Sequence, residues 1–130
     1  MELLPDGQAN TAAEVLWEDQ QRINKFSTII NKKDELTAVL NKYKTEKEYL
    51  DDLSLEIELL DEDEKVQYKI GEAFVYMKVS KAIERVEKDN EKLTAKIEDI
   101  DGTLEGYEES LDSLKTDLYA KFGNNINLER

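Results

Sequence analysis

The sequence predicts a mainly α-helical protein: a long antiparallel two-helix coiled coil whose arms are joined by a single β-hairpin. Three observations lead there. Residues 14–60 and 79–122 repeat apolar side chains in alternating steps of three and four. Between them, residues 61–78 hold the one stretch where hydrophobicity alternates every second residue. That stretch is also too short to stand alone, because an isolated two-stranded hairpin is marginal in water. Its apolar face and free edges call for partners, and no other segment reads as a strand. The expected partners are other chains, which makes the hairpin a shared hub and the helices arms hung from it.

Composition narrows the function classes. The chain has 130 residues, 38% of them charged, and a net charge of −13. That length is one domain or one extended module. So acidic a surface repels phosphate backbones and anionic membranes, so neither nucleic acid nor a membrane is an expected partner. Cysteine and histidine are both absent. The chain therefore lacks a disulfide framework, a thiolate nucleophile, an imidazole base and the commonest metal ligand. It has no glycine-rich phosphate loop either, and neither enzymatic activity nor a cofactor is expected. The start, Met-Glu-Leu-Leu-Pro-Asp-Gly-Gln, lacks the basic region and apolar core of a secretory signal. No apolar run approaches the ~20 residues of a membrane span. The expectation is a soluble cytoplasmic protein.

Taken in order, residues 1–13 carry Pro5, Gly7, Asn10 and Thr11 and read as a flexible tail. Helix 1 is expected over 14–60. Its seam runs Phe26, Ile29, Leu36, Leu40, Tyr43, Leu50 and Ile57, interrupted by Lys33, Lys47 and Ser54. At 1.5 Å per residue it would be roughly 70 Å long, too long for a compact domain of this size.

The hairpin is expected over 61–78. Val66, Tyr68 and Ile70 precede the pair Gly71-Glu72, and Phe74-Val-Tyr-Met77 follows. Glycine at the first central position suits a type II′ turn. The expected register sets Ile70 opposite Ala73, Tyr68 opposite Val75 and Val66 opposite Met77. One face is then wholly apolar, while Gln67 and Lys69 share the other with Phe74 and Tyr76.

Helix 2 is expected over 79–122, with Ser80 as its N-cap. Its seam, Val79, Ile83, Val86, Leu93, Ile97, Ile100, Leu104, Tyr107, Leu111, Leu114 and Leu118, is broken only at Asn90. Asn90 is either a register-setting polar residue or a tolerated defect. Gly102 and Gly106 each cost a helix about 1 kcal/mol relative to alanine. The heptad phase nevertheless passes through them unbroken, which predicts one helix, locally weakened, rather than two. Gly123 and the asparagines after it end the helix, and residues 123–130 read as a C-terminal tail.

Reversal at the hairpin makes the arms antiparallel, with Leu60 near Val79, Tyr43 near Ile97, Phe26 near Leu114 and Ile23 near Leu118. The far tip then gathers Leu16, Trp17, Ile23, Phe26, Leu118, Tyr119, Phe122 and Ile126 from both chain ends. Exposed apolar surface there would mark an interaction site.

The acidic run Asp61 to Glu64 invites a calcium reading, with Asp61, Asp63 and Glu72 at positions 1, 3 and 12 of a twelve-residue loop. Lys65 and Val66 stand where an EF-hand needs an oxygen ligand and a glycine, so no metal site is expected. The simpler reading is a solvated helix face and an acidic entry to the hairpin.

Four stretches resemble the β-class subunits of prefoldin, the hexameric co-chaperone. They are Glu18-Asp-Gln-Gln-Arg-Ile-Asn-Lys-Phe26, the run from Glu46 through Tyr49 to Glu64, Val66 to Met77, and Leu118-Tyr-Ala-Lys-Phe-Gly-Asn-Asn-Ile-Asn-Leu-Glu-Arg130. The resemblance covers nearly the whole chain, and Gly102 and Gly106 depart from it. It implies two α-class and four β-class subunits whose hairpins form a β-barrel platform. The coiled coils hold unfolded clients such as actin and tubulin at their tips, without ATP, and deliver them to the cytosolic chaperonin. Carried onto this chain, subunit assembly maps to Val66, Tyr68, Ile70, Phe74, Val75 and Met77. The client-binding tip maps to Trp17, Ile23, Phe26, Leu118, Tyr119 and Phe122. Core packing is the competing role for the tip residues on the seam. Docking onto a basic patch of the chaperonin or a neighbouring subunit is the sharper reading of the acidic run. The competing function class is a generic coiled-coil scaffold or tether that uses the hairpin as a dimerisation clip. Stoichiometry separates the two: a homodimer for the tether, assembly with α-class partners for the co-chaperone.

Overall fold

The structure is a computed structural model that describes residues 2–3 and 14–129. In chain order it runs β1 (Glu2–Leu3), α1 (Trp17–Ile57), β2 (Lys65–Ile70), β3 (Ala73–Lys78), α2 (Val79–Phe122), a 3₁₀ turn (Gly123–Asn125) and β4 (Ile126–Asn127). Two long helices with an antiparallel hairpin between them are the predicted architecture. The chain divides into two compact units. One is Ala38–Asp101; the other joins Met1–Thr37 to Gly102–Arg130.

In the unit Ala38–Asp101, the hairpin forms in the predicted register, with Val66 opposite Met77, Tyr68 opposite Val75 and Ile70 opposite Ala73. Gly71 has φ +62°, and among the described residues only glycines take a positive φ. A single positive φ at the first central position is the type II′ pattern. Leu50, Leu53 and Ile57 of α1 pack with Val79, Ala82, Val86 and Leu93 of α2, and Tyr68 of β2 completes the core.

The helix boundaries beside the hairpin differ from expectation. α1 stops at Ile57 rather than residue 60. Its last turn tightens, with Leu59 N–H on the Glu56 carbonyl and Leu60 N–H on the Ile57 carbonyl, both at 3.2 Å. α2 starts at Val79, directly after β3, so Ser80 is inside the helix and not its N-cap. The first donors of α2 are met by backbone instead. Val79 N–H bonds the Glu64 carbonyl at 2.8 Å, and Ser80 N–H bonds the Glu62 carbonyl at 3.2 Å. The acidic run thus caps α2 with its main chain and sets its negative side chains beside a helix N-terminus, where the backbone dipole favours them.

The second unit has its own core. Phe26 and Ile29 of α1 meet Leu111, Leu114, Leu118 and Phe122 of α2. Gly123, at φ +55°, ends α2 in the left-handed conformation that glycine adopts without strain. The chain then folds back, burying Ile126 and Leu128 in the same core. β4 pairs antiparallel with β1, Leu3 opposite Ile126. This corrects two expectations. The hairpin is not the chain's only β-structure, and the segment after Gly123 is packed rather than a free tail. Two-residue strands are too short to show alternation, and their pairing joins opposite chain ends. Residues 4–13 of the expected N-terminal tail lie outside the described residues.

α2 is continuous through Gly102 and Gly106. Both are exposed, and a Cβ at either position would meet nothing within 4 Å.

Candidate functional site

The hairpin has two unlike faces. Tyr68, Val66 and Met77 turn toward the helices of their own unit, with Tyr68 fully buried and the other two partly so. Tyr68 donates its phenolic hydrogen to Asp89 at 2.8 Å. Arg85 Nε donates to the same carboxylate at 3.0 Å, and its guanidinium stands 5.9 Å from the Tyr68 ring centroid. Burial raises the Tyr68 pKa, and the hydrogen bond to Asp89 adds to it. The expectation that the apolar face waits wholly for other chains is therefore corrected. A hairpin of two six-residue strands, with β3 joined directly to α2, folds back onto the helices that carry it.

The opposite face remains open. Phe74 is 59% exposed and Tyr76 is 68% exposed. Ile70 and Val75 lie on the Tyr68 face by register and are also exposed. Among the described residues the sheet has two strands, and each keeps an outer edge with no strand beside it. On the β2 edge, Lys69 N–H is taken up by the Tyr49 hydroxyl at 3.1 Å. Tyr76, which is outside the expected assembly set, follows Phe74 by two residues and so shares its face. Leu59, in the turn after α1, is 87% exposed.

At the other unit, the predicted tip residues separate. Phe26, Leu118 and Phe122 are buried and form its core, and Ile23 and Tyr119 are partly buried against it. The Tyr119 hydroxyl accepts Leu128 N–H at 3.0 Å, which holds the returning C-terminal segment over that core. Trp17 alone of the six is open, at 70% exposure, beside exposed Val15 and Leu16. What fixes this corner is Asp19, nearly fully buried at 3% exposure. Its carboxylate accepts Lys121 Nζ–H from the end of α2 and Leu16 N–H at 3.0 Å at the start of α1. Arg22 adds a third contact at 3.3 Å. The Lys121 bond, then the Leu16 bond, hold the Asp19 pKa below the usual carboxylate value against the opposing effect of burial.

Among the described residues, no group of acidic side chains is placed to hold a metal ion, and no helix is long and apolar enough to cross a membrane.

The family model described as prefoldin subunit matches residues 20–125. The chain belongs to the prefoldin subunit family. It is 55% identical to prefoldin subunit 4 of Saccharomyces cerevisiae over 130 residues, all of both chains. It is 35% identical to Homo sapiens prefoldin subunit 4 over 116 residues, 88% of this chain and 87% of that one. A solved structure, the prefoldin β subunit from Thermococcus strain KS-1, shares the fold with a TM-score of 0.73 at 16% identity, covering 85% of this chain and 96% of its own. The prefoldin resemblance read from the four stretches is thereby established, along its subunit 4 branch. Prefoldin subunits are chaperones, and membership supports a co-chaperone role in the prefoldin complex, in assembly with other prefoldin subunits.

Proposed function

We propose that this chain is a β-class subunit of a cytoplasmic prefoldin heterohexamer of two α-class and four β-class subunits, acting as an ATP-independent holdase. It holds unfolded proteins such as actin and tubulin and delivers them to the cytosolic chaperonin. The observation that carries the holding role is the exposed apolar run Val15-Leu16-Trp17, with Trp17 70% exposed, on a chain of net charge −13. Unfolded chains present apolar groups without fixed geometry, so a holdase needs open apolar side chains rather than a shaped pocket. Weak contacts on several arms then add through effective concentration. Phe26, Leu118 and Phe122 serve the tip by building the core that presents Trp17, with Ile23 and Tyr119 at its margin.

Assembly falls to the hairpin. Phe74 and Tyr76 offer an open aromatic face, and Ile70 and Val75 leave exposed apolar side chains on the other face, between outer strand edges that partner strands can extend and cover. Tyr68, Val66 and Met77 contribute by fixing the hairpin on the helices.

The test is suppression of aggregation by the assembled complex, using chemically unfolded actin diluted into buffer without nucleotide. Wild type suppresses light scattering without ATP. A Trp17→Ser, Leu16→Ser complex of unchanged mass suppresses it less. Equal suppression by both complexes removes the tip from the mechanism, and no suppression by wild type removes the holdase role.

A further inference from the structure

The segment after Gly123 lies on its helices the way a peptide ligand lies on a receptor. Ile126 is extended, at φ −136° and ψ 144°. Burial then alternates: Ile126 and Leu128 point inward, while Asn127 and Glu129 are exposed. Both inward side chains enter the core of Phe26, Leu118 and Phe122. Two polar side chains of α2 tie the segment down. The Tyr119 hydroxyl accepts Leu128 N–H at 3.0 Å. Lys115 meets Glu129 at 3.8 Å, an exposed pair of the kind that contributes little. The pairing with β1 is two residues long. Gly123, at φ +55°, is a pivot where the segment leaves α2. The helices have their own means of staying together. Asp19 of α1 holds Lys121 at the end of α2, and Ile29 meets Leu111 and Leu114 in the shared seam.

We propose that this C-terminal segment is a built-in competitor at a client site. It fills a cleft that takes extended client segments with apolar side chains two residues apart, and it swings out on Gly123 to admit them. The inference rests on the client-holding role proposed above and adds the regulation of that site. An extended chain puts alternate side chains on one face, so an apolar-polar-apolar run of a client can set two side chains where Ile126 and Leu128 sit. The Tyr119 hydroxyl accepts a main-chain N–H, a group that nearly every client residue carries. Chain ends open locally more readily than the elements that carry them. A site open for only a fraction of the time binds with an affinity reduced by that fraction. The segment thus sets how tightly a client is held, and it covers the apolar cleft again once the client leaves.

The experiment uses the complex assembled from this chain and its prefoldin partner subunits. A fluorescein-labelled peptide alternating serine and leucine is titrated by anisotropy. A complex whose chain is cut after Phe122 should bind it about tenfold more tightly than wild type. The full-length Leu128→Ser complex, whose segment grips the cleft less, should bind it about fivefold more tightly. A labelled peptide of residues 123–130 should bind the cut complex, be displaced by the serine-leucine peptide, and leave wild type unbound. Equal affinity of wild type and the cut chain overturns the competitor while leaving client holding by Trp17 intact. Weaker binding by the cut chain also overturns it, because the segment then supports the site. Tighter binding without capture of the 123–130 peptide overturns it too, because general exposure of the core explains that result. Failure of every complex to bind the serine-leucine peptide overturns the client-holding role, and the competitor with it. If the cut chain does not assemble, the Leu128→Ser complex decides alone, and an affinity unchanged from wild type contradicts the proposal.

Discussion

Asn90 of α2 donates from Nδ2 to the Asp51 carboxylate of α1 at 2.9 Å, and Lys47 of α1 donates to Asn90 Oδ1 at 2.6 Å. Lys47 and Asn90 each interrupt the apolar seam of their own helix, and the fold sets the two interruptions against each other. Lys33, another interruption, likewise pairs with Glu108 across the helices of its unit. Lys47 and Asn90 form one matched polar layer, so Asn90 is a bridge and not a tolerated defect. Asn90→Ala should cost about 1 kcal/mol by chemical denaturation. In a double-mutant cycle with Asp51→Ala, the two losses should sum to more than the double variant shows. Strict additivity would contradict the bridge.

Tyr68 joins the hairpin to the helices by both packing and its hydroxyl. Tyr68→Phe keeps the ring and leaves Asp89 with Arg85, so about 1 kcal/mol should be lost. Tyr68→Ala empties the core and should cost about 3–5 kcal/mol. The raised pKa of this phenol predicts a pH effect. The neutral form is favoured in the fold, so its contribution is complete below the unfolded tyrosine value, about 10. It is then lost as pH rises further, toward the folded value. Melting temperature measured from neutral to strongly alkaline pH should fall more steeply above about pH 10 for wild type than for Tyr68→Phe.

Asp19 predicts the opposite limb. Its folded pKa is depressed, chiefly by the Lys121 hydrogen bond. The stabilisation is therefore present above about pH 4, the unfolded carboxylate value, and is lost as pH falls through the lower folded value. Asp19→Asn should lower the melting temperature at neutral pH and flatten its decline below about pH 4. A variant that declines as steeply as wild type would show that this carboxylate does not set the acid limb.

Gly102 and Gly106 lie within a continuous helix with open space at each Cβ position. Alanine at either site should therefore add up to about 1 kcal/mol in denaturant unfolding. Destabilisation would show that the glycines answer a steric need that the fold does not display.

Much of this was legible in the chain. The alternation of Val66, Tyr68 and Ile70 about Gly71-Glu72 gave the hairpin and its register, because the side-chain period and a two-residue turn together leave one solution. The heptads carried α2 through both glycines, because the phase does not reset there. What escaped depends on distant partners. Nothing local to Leu128 says that it returns to the core of Phe26 and Leu118, and nothing in Ser80 says that the carbonyls of Glu62 and Glu64 already meet the helix start. The candidate tip was legible as a neighbourhood. Which of its residues face outward was not, since a seam position such as Phe26 and a flanking position such as Trp17 are equally apolar in sequence.

The central claim is that the outer face of the hairpin is completed by other prefoldin subunits. Native mass spectrometry of the chain co-expressed with those partners tests it most directly, comparing wild type with Phe74→Ser, Tyr76→Ser. Both side chains are more than half exposed, so the double variant should keep its helical signal. Wild type should appear in a heteromeric hexamer, and the variant should drop out of it as a free chain. A variant found in the hexamer at the wild-type share, or a wild type found only as a homodimer beside its partners, would contradict the account.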